Sequence, residues 1–299
     1  MSWLFCADPL APRRTDPAFA EEAAAVRAAG VPVALLDHDA LLAGDVPAAL
    51  ARVPRGSGPY WYRGWMIPAG RYEDLARGLG ERGCTLLTGP GAYRRAHELP
   101  GWYEVFAQLT PRSVWRALPP GAPPSPAQLA SLVAPLGNGP AVVKDFVKSR
   151  KHEWHEACLV PELGDTAALS AVVDRFFALQ EDTLAGGLVV RRFEHFVPGG
   201  EARVWWMDGE AVLVTAHPDS PDRLPEPDVS AVGPAVRALG CRWVTTDLAL
   251  RTDGEWRVVE VGDGQVSGLP EGAGPGTLFG ALAKAATATG LPGSPGSPG

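Results

Sequence analysis

Two aspartate-glycine pairs, Asp208-Gly209 and Asp253-Gly254, constrain the fold of this 299-residue chain more than any other feature. Each pair separates two apolar runs, residues 201–208 from 210–216 for the first pair and residues 243–250 from 256–261 for the second. Such a pair between two strand-like runs is typical of a tight hairpin, because the central residues of the turn adopt positive φ angles. The second half of the chain is therefore predicted to be mainly antiparallel sheet with helices.

The first half has a different rhythm, in which strand-like and helix-like segments alternate. The strand-like segments are Trp3–Cys6, Val31–Leu36, Tyr60–Ile67 and Thr85–Leu87, and the helix-like segments are Pro17–Ala29 and Arg71–Gly80. This alternation predicts a small α/β layer with parallel strands. A dense proline cluster at residues 118–126 indicates a linker or a domain edge.

Composition argues against several classes of protein. The formal net charge of −7 disfavours a protein that coats nucleic acid through its overall charge. The four cysteines are widely spaced and predict reduced thiols rather than a disulfide framework or a zinc ribbon. The chain has no signal-peptide pattern and no apolar run of bilayer length, which predicts a cytoplasmic protein without a membrane partner. The tail at residues 290–299 is predicted to be disordered.

A lysine interrupts one apolar strand of the second half. Lys144 lies in the run Pro140–Val147, and Lys148 and Lys151 follow it closely. Burial of a lysine is costly unless an anion meets it, and a phosphate would serve. A loop that carries Lys148 and Lys151 would then cover the same phosphates. The alternative is an edge strand whose lysine points to solvent, and this feature alone favours the alternative.

Two further strands carry charged residues. Gly186–Glu194 runs from apolar into charged residues, which suits one wall of an adenine slot, although an ordinary core strand is the stronger explanation of this segment alone. Glu201 and Arg203 are two residues apart on a strand, so their side chains share one face. An arginine held in this way can clamp a phosphate with two hydrogen bonds, whereas the alternative is a surface ion pair.

Carboxylates give the most specific signal. Asp247 and Glu260 each interrupt one of the two apolar runs that flank Asp253-Gly254. If these runs pair through the turn, the two carboxylates are near neighbours, and a cation between them would relieve their repulsion. Ligand sets made of oxygen favour magnesium, and Asp263 in the following glycine loop would add another oxygen. The alternative is two carboxylates at exposed strand ends, but the interruption of two apolar strands favours the metal site.

The order of these parts resembles that of ATP-grasp enzymes. A strand lysine is followed by a lysine-bearing loop, a hinge strand, a Glu-x-Arg strand and acidic residues on a closing hairpin. The motifs that carry the resemblance are Val142–Lys151, Gly187–Phe193, Glu201–Arg203 and Val259–Gln265. They resemble a bacterial clade of ATP-grasp domain proteins from Leu99 to Pro270, and their order and spacing count for more than any single motif.

The resemblance implies a mixed α+β and α/β chain with an ATP-grasp fold, in which two α+β subdomains clasp ATP after a small α/β pre-ATP-grasp domain. The expected boundaries are residues 1–98 for the N-terminal domain and residues 99–289 for the ATP-grasp domain. Within the latter, the lysine-bearing subdomain is expected at residues 118–190 and the metal-binding subdomain at residues 191–289.

The resemblance also implies a role for each matching residue. Lys144 matches the catalytic strand lysine that contacts the nucleotide phosphates, and Lys148 or Lys151 would lie in the loop that covers them. Arg203 matches the catalytic arginine that stabilises the transferring phosphoryl group. The matches to the magnesium ligands are Asp247 and Glu260. The other residues implied in nucleotide binding are Val190, Arg191, Arg192, Phe193, Glu194 and Glu201.

Two positions depart from the family pattern. The acidic residue that is usual at the hinge is replaced by Arg192, with Glu194 two residues later, which bears on ribose recognition. The usual Glu-x-Asn at the metal site reads Glu260-Val-Gly-Asp263. Asp263 therefore either replaces the asparagine or the second metal binds differently.

The implied function is that of an ATP- and magnesium-dependent ligase, with manganese as an alternative metal. Such an enzyme activates a small-molecule or peptide carboxylate as an acyl phosphate and joins it to an amine or a similar nucleophile. One alternative keeps the fold but joins RNA ends, with Tyr60, Trp61 and Arg63 holding a strand, and the acidic net charge disfavours it. Another alternative is a non-catalytic nucleotide-binding module.

Overall fold

The computed structural model describes residues 1–218, 224–270 and 274–288. Over these residues the chain forms three β-sheets with helices packed around them. The α-helices are α1 (Ala20–Ala28), α2 (His38–Leu42), α3 (Val46–Ala49), α4 (Ala69–Glu81), α5 (Pro90–His97), α6 (Leu99–Phe106), α7 (Pro126–Val133), α8 (Thr166–Gln180), α9 (Val232–Leu239) and α10 (Pro275–Ala288). Shorter helical turns lie at Pro17–Phe19, Ala134–Leu136, Lys151–Glu153, Trp154–Cys158 and Glu181–Thr183.

Side chains at the helix starts explain several of these boundaries. Asp37, Asp45 and Asp165 each accept a hydrogen bond from a backbone N–H group in the first turn of α2, α3 and α8. Helix α7 begins with a capping box, in which Ser125 and Gln128 exchange hydrogen bonds between side chain and backbone. These side chains satisfy N–H groups that a helix start leaves without partners.

A parallel sheet forms at the N-terminus from β1 (Ser2–Cys6), β2 (Val33–Leu36) and β3 (Tyr60–Arg63), in the order β2-β1-β3. Strand β1 is central, and Trp3 lies opposite both Val33 and Trp61. Every residue of β1 is buried, as is usual for a strand covered on both faces. The predicted α/β layer with parallel strands is confirmed.

The further strand predicted at Thr85–Leu87 is wrong. The chain makes a single parallel bridge there, between Tyr60 and Leu86. The ladder does not extend, because Pro90 lacks an N–H group to donate and starts helix α5 instead. The segment therefore lies beside β3 without forming a strand.

A second sheet, called here the lysine sheet because it carries Lys144, is antiparallel and has the order β4-β7-β5-β6. Its strands are β4 (Ser113–Ala117), β5 (Ala141–Lys144), β6 (Leu159–Val160) and β7 (Gly187–Arg192). One face packs against α7 and α8. Strand β4 precedes the subdomain boundary expected at residue 118, because it pairs with β7 over its whole length. The lysine-bearing part of the chain therefore begins earlier than the proline cluster indicates.

The third sheet, called here the carboxylate sheet, is also antiparallel and has the order β11-β10-β8-β9. Its strands are β8 (Phe196–Met207), β9 (Glu210–Ala216), β10 (Trp243–Arg251) and β11 (Trp256–Asp263). At the turn between β8 and β9, Asp208 and Gly209 have φ angles of 49° and 85°, which confirms the predicted hairpin. Strand β8 begins earlier than the Glu-x-Arg motif, because Phe196 pairs with Arg251 of β10.

Two of the three sheets share one hydrophobic core. The rings of Trp3 and Trp61, from the parallel sheet, each lie 5.7 Å from the ring of Trp243 in the carboxylate sheet. Leu278 and Phe279 of α10 belong to the same core. The lysine sheet has a separate core with α7 and α8. The N-terminal region and the carboxylate sheet thus form one packed unit beside the lysine sheet.

Three expectations about the chain as a whole can be placed against this fold. The four cysteines are free and buried, as their spacing predicts. The tail predicted to be disordered, residues 290–299, lies outside the described residues. None of the helices that the structure describes combines the length and the apolar character needed to cross a bilayer.

Candidate functional site

One face of the carboxylate sheet carries four ionisable side chains next to one another. Asp247 on β10 lies opposite Glu260 on β11 and opposite Arg203 on β8. Glu201 lies two residues before Arg203 and shares its face. The cross-strand pairing of Asp247 with Glu260 is the one that the hairpin at Asp253-Gly254 predicts.

Arg203 and Asp247 form a buried ion pair with two hydrogen bonds. Nε and Nη2 of Arg203 donate to the two carboxylate oxygens of Asp247 at 2.7 and 2.8 Å. The side chains are only 13% and 5% exposed, so the alternative of a surface ion pair is wrong. Burial disfavours both charges, yet the pairing lowers the pKa of Asp247 and raises the pKa of Arg203. Both groups are therefore charged at neutral pH.

His217, which follows β9, extends this cluster. Its Nε2 atom lies 3.3 Å from Oδ2 of Asp247 and 3.8 Å from Oε1 of Glu201. Burial lowers the pKa of His217, but the neighbouring carboxylates raise it above its ordinary value. Single ligand atoms of Glu201, His217 and Asp247 lie within 4.8 Å of one another, a spacing that suits a cation. The guanidinium of Arg203 already brings a positive charge to this group.

Glu260 lines a cavity of about 130 Å³ that opens over this face, together with His97, Arg203, Thr245 and Asp247. Within the described part of the chain, the Glu260 carboxylate makes no hydrogen bond and no ion pair. A half-buried carboxylate without a protein partner is free to bind a cation. Asp247 and Glu260 therefore differ, because the first is paired with Arg203 and the second is open.

Lys144 is the last residue of β5 and is 7% exposed. Among the residues that the structure describes, its ammonium group has neither a hydrogen bond nor an ion pair. Burial lowers the pKa of Lys144, and the charge of Glu260 opposes that effect. Strand β5 lies between β6 and β7, so the alternative of an edge-strand lysine in solvent is wrong.

The turn after β5 is organised by the buried Asp145. Its Oδ1 atom accepts hydrogen bonds from the N–H groups of Val147 and Lys148 at 2.7 and 2.5 Å. Its Oδ2 atom accepts from Nε2 of Gln180 at 2.7 Å and from the N–H group of Ala185 at 3.2 Å. These four bonds fix the backbone that presents Lys148. The side chain of Lys148 itself is exposed.

Arg191 fastens the lysine sheet to the carboxylate sheet. Its Nε atom donates to Oγ of Ser113 at 3.0 Å, Nη1 donates to the carbonyl of Val259 at 2.5 Å, and Nη2 donates to Oγ1 of Thr110 at 3.2 Å. Burial lowers the pKa of Arg191 to about 10, so it stays charged at neutral pH. Arg191 and Lys144 share one face of the lysine sheet, because Lys144 lies opposite Val189. Lys144 therefore faces the strand that carries Glu260.

Two residues implied in nucleotide binding point to the other face of the lysine sheet. Val190 packs into the core formed with α7 and α8. Arg192, two residues later, donates to the carbonyl of Asn138. Their positions follow from strand alternation, since Arg191 takes the face toward the cavity. The structure does not bring the side chains of Val190 and Arg192 to the site.

The connection from β7 to β8 contains the next two residues of that set. The ring of Phe193 lies 6.1 Å from that of Trp154, and both are half-buried. Glu194 is held by Arg257, with Nε to Oε2 at 3.0 Å, and by Arg251 at 3.5 Å. Glu194 thus ties the connection to the carboxylate sheet. The exposed Lys151 begins a short helical turn after the lysine sheet's β5.

Asp263 lies apart from the predicted metal ligands. It comes three residues after Glu260 on β11 and therefore faces the opposite side of the sheet. It is fully buried, and its Oδ1 atom accepts hydrogen bonds from the N–H group and Nε2 of Gln265. Burial raises its pKa to about 7. The expected third ligand is wrong, because β11 continues through Asp263 and strand alternation turns that carboxyl group into the core.

The aromatic segment of β3 belongs to the core and not to a surface for nucleic acid. Tyr60, Trp61 and Arg63 are each 1% exposed. Nε and Nη2 of Arg63 donate to the carboxylate of Glu22 at 2.5 and 2.7 Å. Side chains buried in this way cannot hold an RNA strand, so the RNA-joining alternative loses the residues that supported it.

His97 lines the cavity, and sequence reasoning gives it no role. It ends α5, and its ring stacks on that of Tyr93 at a centroid distance of 5.0 Å. An aromatic residue four positions before a histidine in a helix indicates a shared face, which is the one signal in the sequence. That signal does not reveal the cavity, because the facing residues Arg203, Asp247 and Glu260 come much later in the chain.

A larger cavity of about 420 Å³ lies between α3 and α4 in the N-terminal region. Its charged lining consists of Arg55, Asp74, Arg77, Glu81 and Arg82. None of the predicted site residues lies there, and opposite charges already pair on its wall, as Arg77 does with Asp74. The smaller cavity over the carboxylate sheet is therefore the candidate site.

Comparisons with known proteins agree with this geometry. Residues 135–283 match a family model that describes an ATP-grasp domain, the third family of its clade. No curated protein matches the chain by sequence. Among solved structures, the D-cycloserine synthetase DcsG is 16% identical with a TM-score of 0.61, over 95% of this chain and 99% of that chain.

Two more solved structures are similar to the chain. A RimK domain protein ATP-grasp from Sphaerobacter thermophilus DSM 20745 is 15% identical with a TM-score of 0.55, over 93% of this chain and 99% of that one. The ATP-grasp ligase PsnB, solved with minimal precursor, Mg and ADP, is 15% identical with a TM-score of 0.54, over 95% of this chain and 98% of that one. At these identities the likeness shows the fold, which is the ATP-grasp fold.

Proposed function

Because the chain belongs to the ATP-grasp superfamily, we propose that it is an ATP- and magnesium-dependent ligase that joins a carboxylate to an amine. The carboxylate would be activated as an acyl phosphate before the amine attacks. Two of the similar structures are named as a synthetase and a ligase, and one of these was solved with Mg and ADP. Their substrates differ, which leaves the acceptor of this chain to experiment.

The observation that carries the proposal is a pair of unpartnered charges at one cavity. Lys144 is a buried cation, and Glu260 is a half-buried anion, and neither has an ion-pair partner in the described residues. Leaving a buried charge unpaired costs stability, so its retention favours a role in binding. A nucleotide triphosphate with a divalent cation supplies both missing partners, because the phosphates meet Lys144 and the cation meets Glu260.

The carboxylates of Asp247 and Glu260 fit a magnesium ion. They lie opposite each other on adjacent strands and offer oxygen ligands, which magnesium prefers. Both oxygens of Asp247 accept from Arg203, but a carboxylate has about four acceptor positions and retains free ones. Magnesium held there would supply neutralisation of the phosphate charge, with manganese as an alternative.

The side chains of the chain have separate tasks in this mechanism. Lys144 binds phosphate oxygens, and the exposed Lys148 on the turn fixed by Asp145 covers them. Arg203, oriented by Asp247, steadies the transferring phosphoryl group. An oxygen of the substrate carboxylate attacks the γ-phosphorus, and the bond to the β-phosphate oxygen breaks to release ADP. The amine then attacks the acyl carbon, and inorganic phosphate leaves.

A trapping assay tests the reaction type without knowledge of the amine. The protein is incubated with ATP, MgCl₂ and hydroxylamine, together with single carboxylic acids from a panel of amino acids, dipeptides and simple acids. We expect at least one acid to give hydroxamate and ADP in equal amounts, with neither formed when the acid is omitted. ATP binding without hydroxamate from any acid would favour the non-catalytic module instead.

A thermal-shift titration with Mg-ATP tests the binding site. Ligand at about 100 times its dissociation constant adds roughly 2.7 kcal/mol of stability. We expect that gain in the wild type and in the control Glu210→Gln, which alters an exposed residue of the same sheet, and a smaller gain in Glu260→Gln. Equal gains in all three proteins would remove Glu260 from the site. No gain in any of them would remove the nucleotide site itself.

A further inference from the structure

We propose that His97 accepts the proton that the amine must lose when it attacks the acyl phosphate. The inference rests on the proposed ligase function and assigns a residue to its second step. It follows from the position of the ring, from its lack of partners and from the charges around it.

The position of His97 is fixed by the elements that meet at the cavity. It is the last residue of α5, is 7% exposed, and lines the cavity with Arg203, Asp247 and Glu260. The ring is held by Tyr93, with an angle of 22° between the two ring planes. The side chain is therefore oriented by packing and presents its remaining edge to the space where the reacting groups would meet.

The nitrogens of His97 have no hydrogen-bond partner among the residues described. Neighbouring buried polar groups are treated differently, since Asp145 accepts four hydrogen bonds and Arg63 donates to Glu22. A buried polar group without a partner costs free energy, and such groups are rare in folded proteins. A ligand in the cavity would supply the missing partner.

The charges that surround His97 come from every element packed around the cavity. They are Lys144 and Lys148 from β5 and the turn after it, Arg203, Asp247 and Glu260 from the carboxylate sheet, and Glu98 directly after α5. Burial lowers the pKa of His97 to about 4, and Lys148 and Lys144 contribute to that lowering. The imidazole is therefore neutral at neutral pH and has a lone pair to accept a proton. Phosphates bound to the two lysines would offset part of the lowering and make the ring more basic.

The step can be written so that each bond and proton is accounted for. The amine nitrogen forms a bond to the acyl carbon, and the bond from that carbon to the phosphate oxygen breaks with its electron pair. The nitrogen loses one proton, which passes to a ring nitrogen of His97 and then to solvent. Positioned proton acceptors of this kind contribute roughly 10²- to 10⁴-fold to a rate.

The competing explanation is that His97 only fills the space beside Tyr93. The variant His97→Gln and the control His195→Gln, which alters an exposed histidine, separate the two explanations. Hydroxylamine is already unprotonated at neutral pH and needs no acceptor, whereas ammonia and primary amines do. We expect His97→Gln to keep hydroxamate formation within about 3-fold and to lose roughly 100-fold or more of amide formation.

Chemical rescue adds a readout that a packing role would not move. In His97→Ala, added imidazole would restore amide formation in proportion to its unprotonated fraction, whereas added benzene-sized apolar molecules would not. Equal loss of hydroxamate and amide in both variants, without rescue, would overturn the role of His97 and leave the ligase proposal intact. Absence of hydroxamate in the wild type would overturn the ligase proposal and this inference with it.

A measurement without turnover completes the test. ¹⁵N NMR of the imidazole nitrogens should show one histidine that is neutral at pH 7 and remains so to pH 5, and this signal should be absent in His97→Gln. Addition of Mg-ADP should shift that signal, since it neutralises charge at Lys144 and Lys148. A spectrum in which the His97 ring is protonated at pH 7 would contradict the proposal, because a protonated imidazole cannot accept a proton.

Discussion

The lysine sheet and the carboxylate sheet both bring charge to the same cavity, but they hold it in different ways. In the carboxylate sheet, Arg203 and Asp247 are paired by two hydrogen bonds, and His217 and Glu201 lie beside them. In the lysine sheet, Lys144 is buried without a partner of its own in the described chain. One side of the cleft is thus electrostatically complete, and the other is completed by a ligand.

This difference separates stability from binding. Removal of one member of a buried pair leaves the other uncompensated, which costs stability. Removal of an unpartnered buried charge relieves a desolvation cost and affects binding instead. The same kind of substitution should therefore have opposite effects on the free energy of unfolding in the two sheets.

The largest effect is expected from Lys144→Met. Loss of the ammonium should reduce acyl-phosphate formation roughly 10²- to 10³-fold, which is the usual cost of removing one group that stabilises developing charge. The free energy of unfolding should stay the same or rise, because methionine fills the site without a charge. Hydroxamate formation and urea unfolding measure the two quantities. A fall in stability would show that Lys144 has a structural partner and would break the comparison.

The next effect concerns the opposite side of the cleft. Asp247→Asn should lower the free energy of unfolding by about 3 kcal/mol, because Arg203 is left buried with a neutral partner. The control Asp208→Asn removes an ion pair with Arg242 at 2.9 Å on the surface and should cost less than about 1 kcal/mol. Urea unfolding at neutral pH measures both. Equal costs for the two variants would mean that burial adds nothing to the Arg203–Asp247 pair.

A somewhat smaller effect should appear as a pH dependence at Asp263. Its folded-state pKa, raised to about 7 from the ordinary value of 3.8, means that the folded chain keeps a proton that the unfolded chain releases. The stability that this proton contributes is fully present below pH 3.8 and is lost as the pH rises through 7. We expect Asp263→Asn to remove about 2 kcal/mol of pH dependence between pH 5 and pH 8 and to be more stable than the wild type at pH 8.

The same variant sharpens the assignment of the metal ligands. Asp263→Asn should keep Mg-ATP binding, because the side chain faces away from Asp247 and Glu260. The control Asp174→Asn, on the exposed face of α8, should show the pH dependence of the wild type. Loss of nucleotide binding in Asp263→Asn would return this residue to the ligand set and contradict its position in the fold.

The smallest effect concerns the link between the two sheets. Ser113→Ala removes the hydroxyl that accepts from Nε of Arg191, and should cost about 1 kcal/mol of unfolding free energy. The control Ser170→Ala removes a buried hydroxyl without a partner in the described residues and should be neutral or slightly stabilising. An effect on Ser170→Ala as large as that on Ser113→Ala would show that the link is not specific.

The sequence predicts the carboxylate sheet better than it predicts the contacts between sheets. Aspartate-glycine turns and apolar runs define β10 and β11 locally, and the register that places Asp247 opposite Glu260 follows from them. Arg191 bonds to Thr110 and Val259, which lie 81 and 68 residues away, and no local pattern marks those partners. The prediction for Asp263 is wrong because the glycines after Glu260 indicate a loop where β11 in fact continues.

The tryptophans that join β1 and β3 to β10 have a consequence for how the molecule comes apart. Because one core runs through the parallel sheet and the carboxylate sheet, neither can lose its interior without exposing that of the other. Backbone amides of these two sheets should therefore exchange their hydrogens with deuterium together, in the slowest class. The lysine sheet, whose core with α7 and α8 is its own, can open as a smaller cooperative unit while the rest of the chain stays folded.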